Sequence, residues 1–232
     1  MIRRSFILLA LLAFGVIFAG LVGGYDERQA LTPLAGRYVS EVPVELGAPN
    51  VITGILITFR GFDTLGEVAV LFMVAASMGL LLGGRGRGAV VTEAEESIER
   101  PPSELVRSGA DIIMPLIFLF GAYVIMNGHI SAGGGFQGGA VVASGVMLLM
   151  IAFPRAPISH AVLSTIESLD GVLYVCAGVL GLVLAGGFLD TRFLPLGQFG
   201  AVFSAGAIPL ISVLLGIKVG AELSVIIDRF RD

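Results

Sequence analysis

The sequence predicts an all-α integral membrane protein with about six transmembrane helices in two modules, two helices and then four, and with both termini cytoplasmic. Three observations carry that prediction. Hydrophobic residues make up 56% of the 232 and charged ones only 14%, against ~25% charged in ordinary soluble domains; the mean hydropathy is +0.95. Apolar runs close to the ~20 residues of a membrane-spanning helix recur along the chain. The arginines fall unevenly between the segments joining those runs.

The first run, Ser5 to Tyr25, follows Met1-Ile2-Arg3-Arg4. A basic start with Ala19 and Gly20 also suits a secretory signal peptide, but the run is longer than a signal core, so a first span is expected. Residues 26 to 50 are polar, carry Pro33, Pro43 and Pro49, and are expected to form an extended external loop. Val51 to Phe59 is apolar but short, which predicts an interfacial or half-membrane helix. A second span runs from Asp63 to about Gly84, ended by Arg85 and Arg87.

Residues 89–107 change composition, with Glu93, Glu95, Glu96, Glu99 and Pro101-Pro102, and read as a cytoplasmic linker between modules 1–88 and 108–232. Asp111 opens a third span to Met126, Gly139 to Phe153 makes the fourth, and Gly171 to Gly187 the fifth, preceded by Glu167 and Asp170. The sixth is expected from Val202 to Ile227, kinked at Pro209. With the N-terminus inside, the inside segments hold nine arginines (Arg3, Arg4, Arg85, Arg87, Arg100, Arg107, Arg155, Arg229 and Arg231). The outside ones hold four, Arg28, Arg37, Arg60 and Arg192, as the positive-inside rule requires.

The chain's most unusual stretch is Asn127-Gly128-His129-Ile130-Ser131-Ala132-Gly133-Gly134-Gly135-Phe136-Gln137-Gly138-Gly139, within a run from Ile112 to Pro154 that has no formal charge. Gly costs about 1 kcal/mol against Ala inside a helix. An external loop is therefore expected, packed backbone to backbone against partner subunits. It is not a phosphate loop, since no Gly-Lys-Ser/Thr follows.

An ionisable residue inside a span is costly, roughly 2.5 to 3.5 kcal/mol at the centre, so each needs a reason. Glu67 stands one turn deeper than Asp63 on the same helix face, which suits a group that takes up and releases protons. Asp63 fits a helix-start carboxylate. Lys218 and Glu222, an i,i+4 pair near the end of the last helix, suit either a neutralised bridge or one station of a polar relay. Gly216 and Gly220 make a GxxxG step beside them. Asp111, Glu167 and Asp170 are expected at helix N-termini, and His129 at a loop edge. A net charge of −4 with no basic cluster argues against nucleic acid. One Cys, Cys176, and two His leave no iron–sulfur or haem set, so no cofactor is expected in this chain.

Asp111-x-x-x-Pro115, Phe120-Gly121-Ala122-Tyr123, Asn127-Gly128-His129 and Gly133-Gly134-Gly135-Phe136-Gln137-Gly138-Gly139 together resemble the B-type subunit of the multisubunit Na⁺/H⁺ antiporters of the Mrp/Mnh type. Ala132 departs from that pattern, which usually has proline there. Pro49-Asn50-Val51-Ile52-Thr53 and Phe59-Arg60-Gly61-Phe62-Asp63-Thr64-Leu65-Gly66-Glu67 resemble the C-terminal region of the large, A-type antiporter subunit. The same segment is similar to a small component of energy-converting membrane-bound hydrogenases. The resemblance implies a fused, non-catalytic transport subunit with Na⁺ and H⁺ as transported ions and Glu67 in their passage. It implies neighbours like the large A/D-type and small C-, F- and G-type antiporter components, and leaves room for hydrogenase or redox-arm partners. A scaffold with no ion path of its own is the alternative, and the cell membrane the expected location.

Overall fold

The computed structural model describes residues 2–26, 29–83, 102–154 and 160–231, all helices and connecting turns with no strand among them. Expectations that fall on 84–101, including Arg85, Arg87 and most of the acidic linker, lie outside the described residues. Six described helices are long and apolar enough to cross a membrane, and the protein is multi-pass. The chain divides into two units, Met1–Arg37 and Tyr38–Asp232. The first unit holds α1 (Ile2–Gly23) and the start of α2 (Pro33–Glu45).

α2 replaces the expected extended loop. Thr32 begins it: its side-chain oxygen accepts from Ala35 N–H at 3.2 Å, and Pro33 occupies the first helical position, where its missing N–H costs nothing. Pro43 falls in the last turn. Val42 and Leu46, one turn apart, are buried and enter the core.

α3 (Val51–Gly54) is the short helix expected after Asn50. It continues without a break as a wider π turn, Ile55–Phe59, closed by Arg60 N–H donating to Ile55 O at 2.7 Å. α4 (Gly61–Gly83) follows. α5 (Glu104–Met126) starts seven residues before the expected Asp111, because Ser103 caps it by accepting from Val106 N–H. Residues 104–107, read from sequence as linker, are its first turn, and Asp111 lies in its second turn, exposed, not at its N-terminus.

α6 (Gly135–Ala152) and α7 (His160–Leu184) also begin earlier than expected. The glycine stretch is thus loop only to Gly134, and Gly135, Gly138 and Gly139 are helical. Glu167 and Asp170 are well inside α7, not at its start. α8 (Ile208–Arg231) begins later than expected. Ala205 and Gly206 turn the chain with φ of 63° and 59°, so Pro209 is in the first turn of the helix and is not an interior kink.

Within the second unit α6 packs most extensively on α8 and α5, and α8 also packs on α7 and α4. The α6 glycines explain that closeness. A Cβ on Gly139 would lie 2.7 Å from Gly216 O, and one on Gly138 would lie 2.8 Å from Gly121 O. The glycine stretch was expected to meet neighbouring subunits, but these residues are used to bring three helices of this chain together. Gly216, in the GxxxG step, abuts Ile125 of α5, and Gly220 faces Val142 of α6. Buried Val42, Leu46, Ile57, Tyr174, Leu189, Ile208 and Ile211 form the apolar core around α8.

Candidate functional site

Asn50 builds one wall of the site. Its Nδ2 donates to the carbonyls of Gly128 and Ser131, both at 2.7 Å, while its Oδ1 accepts from Thr53 N–H. Thr53 Oγ1 donates to Gly128 O at 2.7 Å, and Asn50 N–H to His129 O at 2.9 Å. α3 therefore clamps the Asn127–Ser131 turn. Gly133 and Gly134, with φ of 154° and 148°, carry the chain from that turn into α6 through a conformation side chains disfavour.

Between α3, α4 and this glycine turn lies a cavity of about 140 Å³ whose lining includes Thr53, Thr64, Glu67, Gly134, Phe136 and Gln137. It brings together Glu67 and the glycine stretch, which the sequence placed in separate modules. Glu67 stands six residues into α4, about 9 Å along its axis. Its side chain is exposed on this chain taken alone. Thr64, one turn before, instead turns back, its Oγ1 donating to Leu56 O at 2.7 Å within the π turn. Asp63 points away into an ion pair with Arg60, at i,i+3. Phe136 is 42% exposed, so it edges the cavity and also the surface. Pro115 and Asp111 lie on α5 and do not line this cavity.

His129 is fully buried, not at a loop edge. Its Nε2–H donates to Ala201 O at 3.2 Å, which ties the turn to the segment before α8.

The second group of expected residues lies deeper. Lys218 and Glu222 stand about 15 and 21 Å along α8, near its middle and not near its end as expected. Lys218 is 6% exposed and Glu222 fully buried. Lys218 Nζ lies 2.8 Å from Glu222 Oε1, an ion pair without hydrogen-bond alignment, and 3.9 Å from Glu167 Oε1 on α7. It also lies 5.9 Å from the centroid of the Phe72 ring of α4. Asp170, buried and one turn from Glu167, is within electrostatic reach of Lys218 and Glu222. Sequence reasoning treated Glu167 and Asp170 as helix-end charges. Their i,i+3 spacing put both on one face but gave no sign of their depth.

Outside the spans, Asp190 and Arg192 close the turn between α7 and α8. Arg192 Nε and Nη2 donate to the two carboxylate oxygens at 2.6 to 3.2 Å, and Asp190 also caps the short Thr191–Phe193 turn. The hydrogen-bonded guanidinium holds the Asp190 carboxyl below its usual range. Among the described residues no group of three or more His, Cys, Asp or Glu is arranged to hold a metal ion.

Residues 105–225 match the family described as a domain related to the MnhB subunit of Na⁺/H⁺ antiporter. Residues 2–103 match the MbhE family, described as the E component of MBH. An uncharacterized protein of Methanocaldococcus jannaschii is 30% identical over 198 residues, 76% of this chain and 74% of that one. One chain of the membrane-bound sulfane sulfur reductase, an archaeal respiratory membrane complex, superposes with a TM-score of 0.81 at 34% identity, covering 99% of this chain and 98% of that one. One chain of the Mrp complex from a Dietzia species gives 0.76 at 23% identity, over 98% of this chain and 26% of that one, a likeness of fold.

Proposed function

The chain belongs to the family of domains related to the MnhB subunit of Na⁺/H⁺ antiporters, and from that premise we propose that it is a membrane subunit of a cation/proton antiporter module in which Glu67 takes part in ion passage. Such a subunit works inside a multisubunit complex of the cytoplasmic membrane, with both termini cytoplasmic, and catalyses no bond-making step itself. Its transported ions are Na⁺ and H⁺. Its neighbours are large A/D-like and small C-, F- and G-like antiporter components.

One observation carries the role of Glu67. Its side chain lines a cavity whose opposite wall is the glycine turn, where no side chain stands at Gly133, Gly134 or Gly135. A carboxylate sharing a cavity with exposed glycine backbone, Gln137 and two threonines has polar neighbours suited to a hydrated cation or a proton. Asp63, held by Arg60, serves instead to anchor the start of α4.

Glu67→Gln removes the titrating group and keeps its size. In inverted vesicles containing the whole complex it should abolish Na⁺-driven proton movement while every subunit still co-purifies. Undiminished exchange would sink the assignment and leave the chain as a scaffold.

Similarity over nearly the whole length of a chain from a respiratory reductase complex supports a redox-driven parent complex over a stand-alone antiporter. A mass-spectrometric list of the proteins co-purifying with this chain decides between them: redox-arm components support the first, their absence the second.

A further inference from the structure

The role given to Glu67 leaves unexplained a set of ionisable groups deeper in the described helices: Tyr174, Asp170, Lys218 and Glu222, all buried, and the half-buried Glu167 and Arg229. Counted from the α7 end at Leu184, Tyr174 is about 15 Å deep, Asp170 about 21 Å and Glu167 about 26 Å. On α8 the corresponding depths are about 15 Å for Lys218, 21 Å for Glu222 and 32 Å for Arg229. Tyr174 is within electrostatic reach of Glu67, and Asp170 of Lys218 and Glu222. Below them a second cavity, of about 270 Å³, opens between α4, α7 and α8. Its lining includes Glu167, Ser164, Ser168 and Arg229. Ionisable side chains thus stand at intervals between the two cavities.

A structural ion-pair network would use up its polar groups, and this one does not. Asp170 is 4% exposed with Oδ2 unpartnered, and Tyr174 is 2% exposed with its hydroxyl unpartnered. Three carboxylates, Glu167, Asp170 and Glu222, surround one ammonium, Lys218. Burying that excess of negative charge is unfavourable unless protons accompany it. Lys218 has a carboxylate on either side, on different helices, and Gly171 leaves room beside it: a Cβ there would be 3.9 Å from Nζ.

We propose that Glu167, Asp170, Lys218 and Glu222 form a buried proton-loading station linking the Glu67 cavity to the Arg229 cavity, with Lys218 as its movable countercharge. The proposal rests on the assignment of Glu67 to ion passage and adds the route beyond it. A protonated Glu67 passes its proton by way of intervening water and the Tyr174 hydroxyl to the Asp170 carboxylate, each relay oxygen giving up one proton as it takes one, so each O–H bond formed matches one broken. Asp170 passes the proton to Glu167. Lys218 stays an ammonium throughout. Resting on Glu222, it leaves Asp170 and Glu167 to accept a proton; moving to Glu167, it expels the proton into the lower cavity, and one positive charge has crossed. Among the described residues, the groups facing the station are Glu67 and the Phe72 ring from α4, Tyr174 from α7 and Arg229 from α8.

The test uses the whole complex in inverted vesicles, with Na⁺-driven proton movement followed by a fluorescent pH probe. Asp170→Asn keeps shape and leaves the Lys218–Glu222 pair intact. It should lower exchange by about a hundredfold, the low end of what a positioned proton-transfer group contributes, with all subunits retained. Lys218→Met combined with Glu222→Gln removes the pair as a unit and should do the same. Infrared spectra of the purified complex add a readout that a structural role would not move. A protonated-carboxyl band should be present in the wild type and reduced in Asp170→Asn. If Asp170→Asn and the double variant both exchange normally while Glu67→Gln does not, the station is wrong and the Glu67 assignment survives. If Glu67→Gln is also silent, both fall. Should Asp170→Asn fail to assemble, the double variant and the wild-type spectrum decide, and a wild type with no protonated carboxyl overturns the proposal.

Discussion

Gly139→Ala tests whether the contact between α6 and α8 is set by backbone. The new Cβ would lie 2.7 Å from Gly216 O, 2.8 Å from Val219 Cβ and 3.1 Å from Gly220 N, where ordinary contact begins at 3.4 Å. Two of these three atoms are main chain, which cannot swing aside, so the helices must part by about 0.7 Å (3.4 − 2.7). Overpacking of this kind costs about 1–3 kcal/mol, and rigid neighbours put it near the top of that range. Alanine returns about 1 kcal/mol of helix propensity. The net expectation is a loss of about 2 kcal/mol. A mixed-micelle denaturant titration, followed by helical circular dichroism, measures it. Gly109→Ala in α5 is the control: nothing lies within 4 Å of its Cβ, so propensity alone should act and stability should hold or rise. If Gly139→Ala behaves like Gly109→Ala, the helices are not held apart by backbone contact and the explanation of their closeness is wrong.

Asn50→Ala takes the donor from the Ser131 carbonyl and leaves the Gly128 carbonyl with Thr53 alone, and should cost about 1–3 kcal/mol. Asn50→Asp should cost more, since it sets a carboxylate against two carbonyls; hydrogen exchange across 127–134 should accelerate in both. Asp190 supplies a pH effect of defined sign. Its folded pKa is depressed from the usual 3.8, so its contribution is fully present above that value and is lost as pH falls through the lower folded value. Stability of Asp190→Asn measured from neutral to acid pH should lack that acid-side decline, and an unchanged profile would show that the Arg192 contact does not stabilise the turn.

The number of spans and the short helix at Val51 were legible because hydropathy is a local signal. The helix starts that were missed had local signals too: Ser103 after Pro101-Pro102, and Thr32 before Pro33, are both ordinary capping positions, outweighed by the charge and proline around them. The depth of Glu167 and Asp170 was not legible. A charge ends a predicted span unless its partner is known, and theirs is Lys218, some fifty residues later on another helix. Nor did the glycines say which helices they would face, since that depends on how α8 returns between α5 and α6.

The tightness of that return has a consequence for how the protein operates. With glycine backbone of α6 seated on the carbonyls of Gly216 and Ser212, α8 has little freedom to tilt or slide, and Lys218 is anchored two residues beyond Gly216. Any charge movement through this chain must then be accomplished by rotating side chains and reordering water inside a stationary frame. Such a part resembles the stator of a machine. On the proposed route the speed would be set by rotamer and proton hops, and the response to temperature should be shallow compared with that of carriers whose helices swing to expose a site on alternate sides.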